Sequence, residues 1–185
     1  MTARLATLPE IEAALWQQLG AAVTDKSHPW RAPVLATVNV DAGDARIVVL
    51  RELVQAQRQM LFYTDERAGK VAQLLNHPRG TVLMWSPALN WQLRCHVRLT
   101  LEMSGLSASS RWARIKLTSA SKEYLSAMPP GAPLAHVLHS GSGAVARDYF
   151  AVISAEIELM DWLELHPDGH RRAIFDPQGA RWVQP

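Results

Sequence analysis

The sequence predicts a mainly β fold of the α+β kind: seven or eight antiparallel strands in a barrel or sandwich, with two or three flanking helices. Three observations point there. Short alternating or β-branched runs recur at close spacing. The links between most of them are too short for a helical crossover, which favours hairpins. Of the 185 residues, 48% are apolar, enough to bury a core in one domain spanning 1–185.

The elements follow in order. Residues 8–20, "LPEIEAALWQQLG", read as a helix: Pro9 suits its first turn, Glu10 and Glu12 its positive end, and Gly20 its stop. Leu8, Ile11, Leu15 and Leu19 form its apolar stripe. "DKSHPWRAP" (25–33) is a loop, "VLATVNV" (34–40) a strand and "DAGDA" (41–45) a turn. "RIVVLREL" (46–53) and "QMLFYT" (59–64) are the next strands. "DERAGKVAQLLNHP" (65–78) is a helix closed by Asn76 and Pro78. "GTVLMWSP" (80–87) and "NWQLRCHVRLTLEM" (90–103) are strands, and the second alternates Gln92, Arg94, His96 and Arg98 against Leu93, Cys95, Val97 and Leu99. Residues 107–127 tend to helix until "MPPGAP" (128–133), and 136–144 is the least regular stretch. The segment 149–183 returns to strand in three pieces, 149–165, 171–175 and 180–183.

Composition removes several classes of function. A net charge of +2 is too small to argue for nucleic acid, and the basic residues are scattered apart from "SRWARIK" and "HRR". No apolar run is long enough for a membrane helix, and the N-terminus has no continuous apolar stretch of signal-peptide type, so the expected location is cytoplasmic. A single cysteine, Cys95, excludes an internal disulfide and a cysteine zinc cluster. His136 and His139, and His166 and His170, are paired in spacing, but neither pair has the carboxylate–histidine set of a metal site, so no metal is expected. The chain has no G-x-S-x-G, no P-loop and no G-x-G-x-x-G.

Three places could carry a ligand. Between the strand ending at Thr64 and the following helix sit Asp65, Glu66, Arg67 and Lys70. A helix N-terminus with a hydroxyl and cations around it is a phosphate seat, or simply a charged helix start. Arg46 and Arg51 bracket "RIVVLR", five apart on one predicted strand and so on opposite faces, as site residues or as strand-end charges in solvent. Gln92, between Trp91 and Arg94 in a long strand, presents an amide to a heterocycle or to water.

The order of these stretches carries more than any one of them. "RIVVLR", "LFYT", a turn with Lys70, "NHPRGTVLMW" and "NWQLRCHVRL" resemble the flavin mononucleotide (FMN)-binding proteins of the pyridoxamine 5′-phosphate oxidase family. That family has R-x-V-L-L-K, F-Y-T-N, S-R-K, N-P-x-x-x-L-x-F-x-W and R-Q-V-R-x-x-G in this order. The closing "VISAEIELMDW…HRRAIF…RW" is similar to its I-E-F-W…H-R-L-H…W. The resemblance implies an FMN-binding split β-barrel, a Greek-key antiparallel barrel with flanking helices, with a core motif region at 34–104. It implies a homodimer with FMN at the subunit interface. Arg46 and Lys70 would hold the flavin phosphate, with Arg51 closing the first motif and Arg67 compensating for a lost arginine. Ile47, Val48, Val49 and Leu50 would lie along the ring, Tyr63 and Thr64 along the phosphate and ribityl chain, and Gln92 on the isoalloxazine. Trp162, Arg171 and Ser140 are the candidates from the second subunit.

The departures from the pattern bear on substrate. S-R-K reads Ala68, Gly69, Lys70, and Y-F-x-x-R-P-R-x-S survives only as Tyr124 in "YLSAMPPGAPL". The final R-x-H reads Arg171, Arg172, Ala173. Arginines are the usual bidentate phosphate clamps, so the losses keep the flavin seat and undermine the vitamin-phosphate seat. The expected function is an FMN-dependent oxidoreductase whose substrate the sequence does not name and which is not an efficient pyridoxine or pyridoxamine phosphate oxidase; the alternative is a non-catalytic flavin- or haem-binding module.

Overall fold

Nine strands pair antiparallel into one sheet in a computed structural model that describes residues 4–118, 121, 124–126, 128–133 and 149–185. They are β1 Val34–Asn39, β2 Ala42–Ile47, β3 Leu50–Val54, β4 Gln59–Asp65, β5 Arg79–Ser86, β6 Trp91–Glu102, β7 Phe150–Glu164, β8 Arg171–Asp176 and β9 Gly179–Val183. Ser140, His136 and His139 fall outside the described residues.

The strand order is β2-β1-β5-β6-β7-β4-β3, with β8 beside β7 and β9 beside β8. The path is a Greek key, because β5, β6 and β7 follow one another while β4 returns to the far side of β7. Its two ends, β2 and β3, are joined by Val48 and Val49 alone. The sheet must therefore curl until its ends meet, although no ladder joins them. β7 also forks the sheet: residues 150–156 pair with β4 and residues 160–164 with β8. An unclosed seam and a fork make this a split barrel.

The predicted alternation of β6 holds. Leu93, Cys95, Val97 and Leu99 are buried in the barrel, and Gln92, Arg94, His96 and Arg98 face outward. Helix α1, Leu8–Thr24, adds Ile11, Leu15, Leu19 and Ala22 to the core. It begins in a capping box, where the Thr7 N–H donates to the Glu10 carboxylate at 2.9 Å. It also runs past Gly20, the expected stop, because nothing crowds that position and the apolar face continues to Ala22. Helix α3, Gly105–Ile115, lies on the outer face, over a second cluster of Leu61, Tyr124, Phe150 and Val152. Among the described residues no helix is long and apolar enough to cross a membrane.

Three corrections matter for the site. "RIVVLREL" is not one strand: Arg46 and Ile47 end β2, Val48 and Val49 cross the seam, and Leu50 and Arg51 start β3. The expected turn at 41–45 is mostly strand, because Ala42–Ala45 pair with Ala36–Asn39. The helix predicted at 65–78 is α2, Gly69–Asn76. Its start is delayed because Asp65 is still paired with Phe150 in the sheet.

Candidate functional site

Arg46 organises the site. Strand alternation turns its side chain inward at the barrel end, where α2 packs against β1. Its Nη1 donates to the Leu35 carbonyl at 3.2 Å and to Thr37 Oγ1 at 2.5 Å. Its Nη2 donates to Gln73 Oε1 at 2.8 Å and to the Asp44 carboxylate at 2.5 Å. Gln73, on α2, also donates through Nε2 to Asp44 at 2.8 Å and accepts from Thr37 at 2.6 Å. That hydrogen bond from Gln73, with Arg46 beside it, holds the Asp44 carboxyl below its ordinary range.

Lys70, one helical turn before Gln73, donates to Thr64 Oγ1 at 3.1 Å. Burial pushes its pKa down, and the positive charge of Arg46 adds to the effect. Lysine and arginine stand side by side there, and Asp65 and Asp44 only partly offset their positive charge. A groove of about 360 Å³ opens next to Gln73, between α2 and the β1–β2 hairpin. Thr37 and Gln73 were not singled out from the sequence. The i, i+3 spacing of Lys70 and Gln73 on a predicted helix is the signal that could have found the second.

Ile47 ends β2 on the outer face and is 70% exposed. The register carries that face from Ile47 through Val34 and Leu83 to Arg94, with Trp85 and Gln92 one pleat further on. The sheet therefore brings Ile47 and Gln92 to one surface. Val48 and Val49 lie outside both ladders, and the Val48 N–H is held by the Pro33 carbonyl at 2.9 Å. Leu50 is fully buried opposite Phe62.

Other candidates are placed elsewhere. Arg51 occupies the bulge where β3 slips against β4, with its guanidinium 5.8 Å from the Tyr63 ring centroid. Tyr63 points away from Thr64, as neighbours on a strand must. Its hydroxyl donates to Glu52 at 2.5 Å, which Arg111 also binds, and burial together with Glu52 raises the Tyr63 pKa. Tyr63 thus belongs to the α3 side and not to the Arg46 cluster. Arg67 stacks 3.3 Å over the Tyr149 ring and binds the Asp65 carboxylate at 2.7 and 3.0 Å. It also donates to the Ser126 carbonyl at 2.9 Å and to the Met128 carbonyl at 3.4 Å, fastening both residues to the turn.

Trp162 is fully buried against Trp91, with ring centroids 5.4 Å apart. Arg171 shares Glu164 with Arg4 and donates to the Leu5 carbonyl at 2.7 Å, fastening the N-terminal segment to β7 and β8. Its neighbour Arg172, paired with Leu163, stands on the face of Gln92 instead. There Arg172 and Arg94 both bind the buried Asp161. Burial would raise that carboxyl, but the two guanidinium hydrogen bonds outweigh it and hold the pKa low. Among the described residues no group of three histidine, cysteine or carboxylate side chains could hold a metal.

The donor set of Arg46, Lys70, Gln73 and Thr64 fits a phosphate monoester, and a carboxylate already accepts from two of its members. Comparison with known proteins agrees with that chemistry. Residues 13–102 match the family model described as pyridoxamine 5′-phosphate oxidase, FMN-binding domain. A pyridoxamine 5′-phosphate oxidase-related, FMN-binding protein from Nostoc punctiforme has the same fold at TM-score 0.73 and 23% identity, over 98% of each chain. PhzG from Burkholderia lata, solved with tetrahydrophenazine-1-carboxylic acid, aligns at TM-score 0.74 and 17% identity, over 97% of this chain and 98% of that one. A haem-binding protein from Mycobacterium smegmatis aligns at 0.51 and 14%, over 84% of this chain and 57% of that one. At these identities the likeness is one of fold. No protein of curated function matches in sequence. Over residues 13–102, just under half of its length, the chain is thus similar to the FMN-binding domain of the pyridoxamine 5′-phosphate oxidase family, and that match together with the shared fold supports FMN as the cofactor.

Proposed function

We propose that the chain is a single-domain, homodimeric flavoprotein that uses FMN for oxidoreduction of a small substrate other than pyridoxine or pyridoxamine phosphate. The observation that carries this reading is the convergence of Arg46, Lys70 and Gln73 at the barrel end. In this reading the phosphate rests on those three residues and Thr64. The backbone from Ile47 to Leu50 runs along the ring at the seam, and Gln92 offers its amide to the isoalloxazine. FMN, when bound, supplies the redox chemistry; the protein binds, orients and shields it. Arg67, Tyr63, Arg51, Trp162 and Arg171 support the fold around the seat.

Surface chemistry supports the dimer. Ile47 and Trp85 are 70% and 41% exposed on the face shared with Gln92, beside partly buried Val34, Leu83 and Leu163. Apolar surface that borders a ligand site calls for cover, and a second subunit supplies it. Light scattering of the FMN-loaded protein should give twice 20.5 kDa, and a 20.5 kDa particle would refute the dimer.

Purified protein, or apoprotein mixed with FMN, should show a flavin absorption band and quenched flavin fluorescence. Protein that stays colourless and leaves FMN fluorescence unchanged contradicts the reading. A Soret band after addition of haemin, without flavin binding, would point to a haem-binding module. Anaerobic bleaching by a nicotinamide donor, reversed by air, supports an oxidoreductase; no bleaching by any donor favours a flavin-binding module.

A further inference from the structure

We infer that Asp44 is the resident counter-ion of the phosphate seat and sets how strongly the seat prefers a phosphorylated flavin to an unphosphorylated one. The inference rests on the placement of the phosphate at Arg46 proposed above.

All four terminal hydrogens of the Arg46 guanidinium are in use: two on the Leu35 carbonyl and Thr37 Oγ1, two on Gln73 and Asp44. An incoming phosphate oxygen must displace one of these acceptors. Leu35 and Thr37 are buried, and Gln73 is tied by its own bonds to Thr37. Asp44 differs: its side chain is 46% exposed, on a strand that forms one end of the sheet. Water can take over the hydrogen bonds of a carboxylate so placed, and an exposed ion pair is cheap to break. Asp44 is therefore the acceptor that leaves.

Its departure frees two donors at once, Arg46 Nη2 and Gln73 Nε2. Both are already oriented, because Thr37 holds Arg46 and Gln73 from the other side. The seat is thus kept organised in the absence of ligand. The displaced carboxylate stays close on β2 and repels the dianion it has made way for. Riboflavin has no phosphate and leaves the Asp44 pairs intact. Asp44 consequently weakens FMN binding selectively.

The test is titration of flavin fluorescence with FMN and with riboflavin for wild type, Asp44→Asn and Arg46→Ala. Asparagine keeps the shape and an acceptor for Gln73 while removing the charge. Asp44→Asn should bind FMN about three- to tenfold more tightly, the scale of one exposed like-charge pair, with riboflavin within about twofold of wild type. Inorganic phosphate should compete with FMN more effectively in this variant. Weaker FMN binding by Asp44→Asn would show that the carboxylate positions Arg46 and would overturn the inference, as would equal shifts for both flavins. Arg46→Ala separates the two levels. If it leaves FMN affinity unchanged, the phosphate placement itself is wrong. If it weakens FMN while Asp44→Asn gives no gain, only the role of Asp44 falls.

Discussion

Replacing Lys70 by methionine isolates the electrostatic part of the phosphate seat. The substitution keeps an unbranched apolar side chain and removes the ammonium. In the protein without ligand, that ammonium has one hydrogen bond among the described residues, to Thr64, and it is held half-buried beside Arg46. Burial and like-charge repulsion both disfavour it, so its removal should leave the apoprotein at least as stable. With FMN bound the balance reverses, since the same ammonium faces a dianion. A hydrogen bond to a charged group contributes about 1.5–3 kcal/mol. Thr64, Gln73 and Arg46 remain in the variant, so a loss of about 2 kcal/mol, roughly thirtyfold in Kd, is expected. Riboflavin should bind both proteins equally. The pH dependence has a definite sign: Lys70 holds phosphate while protonated, and its folded-state pKa lies below that of an ordinary lysine. The share of the FMN preference that Lys70 supplies is therefore present at pH below that lowered value. It is lost as pH rises through that lowered value, and Lys70→Met lacks this loss. Fluorescence titration across pH and thermal melting measure all of this. Equal weakening of FMN and riboflavin, or an apoprotein that melts well below wild type, would refute the reasoning.

Three further expectations concern the core packing, the buried thiol and the substrate. A Cβ at Gly80 would lie 2.6 Å from the Ala36 carbonyl oxygen and 2.9 Å from Leu99 Cδ1, so Gly80→Ala must push β1 from β5. It should cost about 1–3 kcal/mol in urea unfolding, and an unchanged midpoint would count against the close approach. Cys95 is fully buried and burial pushes its thiol up to about 12. It should resist a disulfide reagent in the native state and react once in urea, whereas prompt stoichiometric labelling of native protein would contradict its packing. With the flavin site full, pyridoxine 5′-phosphate under air should not be oxidised efficiently, since Met128–Pro133 and Ala173 stand where the resembled pattern has two arginines and a histidine. Turnover of about 1 per second or more at micromolar substrate would mean that other residues supply the clamp.

The fold class was legible because local signals agreed: alternation in 90–103, β-branched runs and turn residues at close spacing. What stayed hidden was decided at a distance. "RIVVLR" is a continuous apolar run, and nothing local marks the crossing at Val48–Val49; only the sheet order requires it. Ala42–Ala45 has little strand propensity and is drawn into β2 by pairing with β1. Asp65 looks like a helix start and instead pairs with Phe150, far along the chain. Within the site, Arg46, Thr64 and Lys70 were named from motif order, yet their grouping depends on how α2 packs on β1. The resemblance groups Tyr63 with Thr64, although alternation turns it to the opposite face. Trp162 and Arg171 show the converse: tryptophan and arginine suit a cofactor site and equally suit a buried ring and the ion pair on Glu164.

The most direct test of the central claim is a crystal structure of the FMN-loaded protein. The account predicts phosphate density within hydrogen-bonding distance of Arg46 Nη2, Gln73 Nε2 and Lys70 Nζ, Asp44 turned away, and the isoalloxazine along Ile47–Leu50 with Gln92 at its edge. A phosphate bound elsewhere, with the Asp44–Arg46–Gln73 bonds intact, would contradict it.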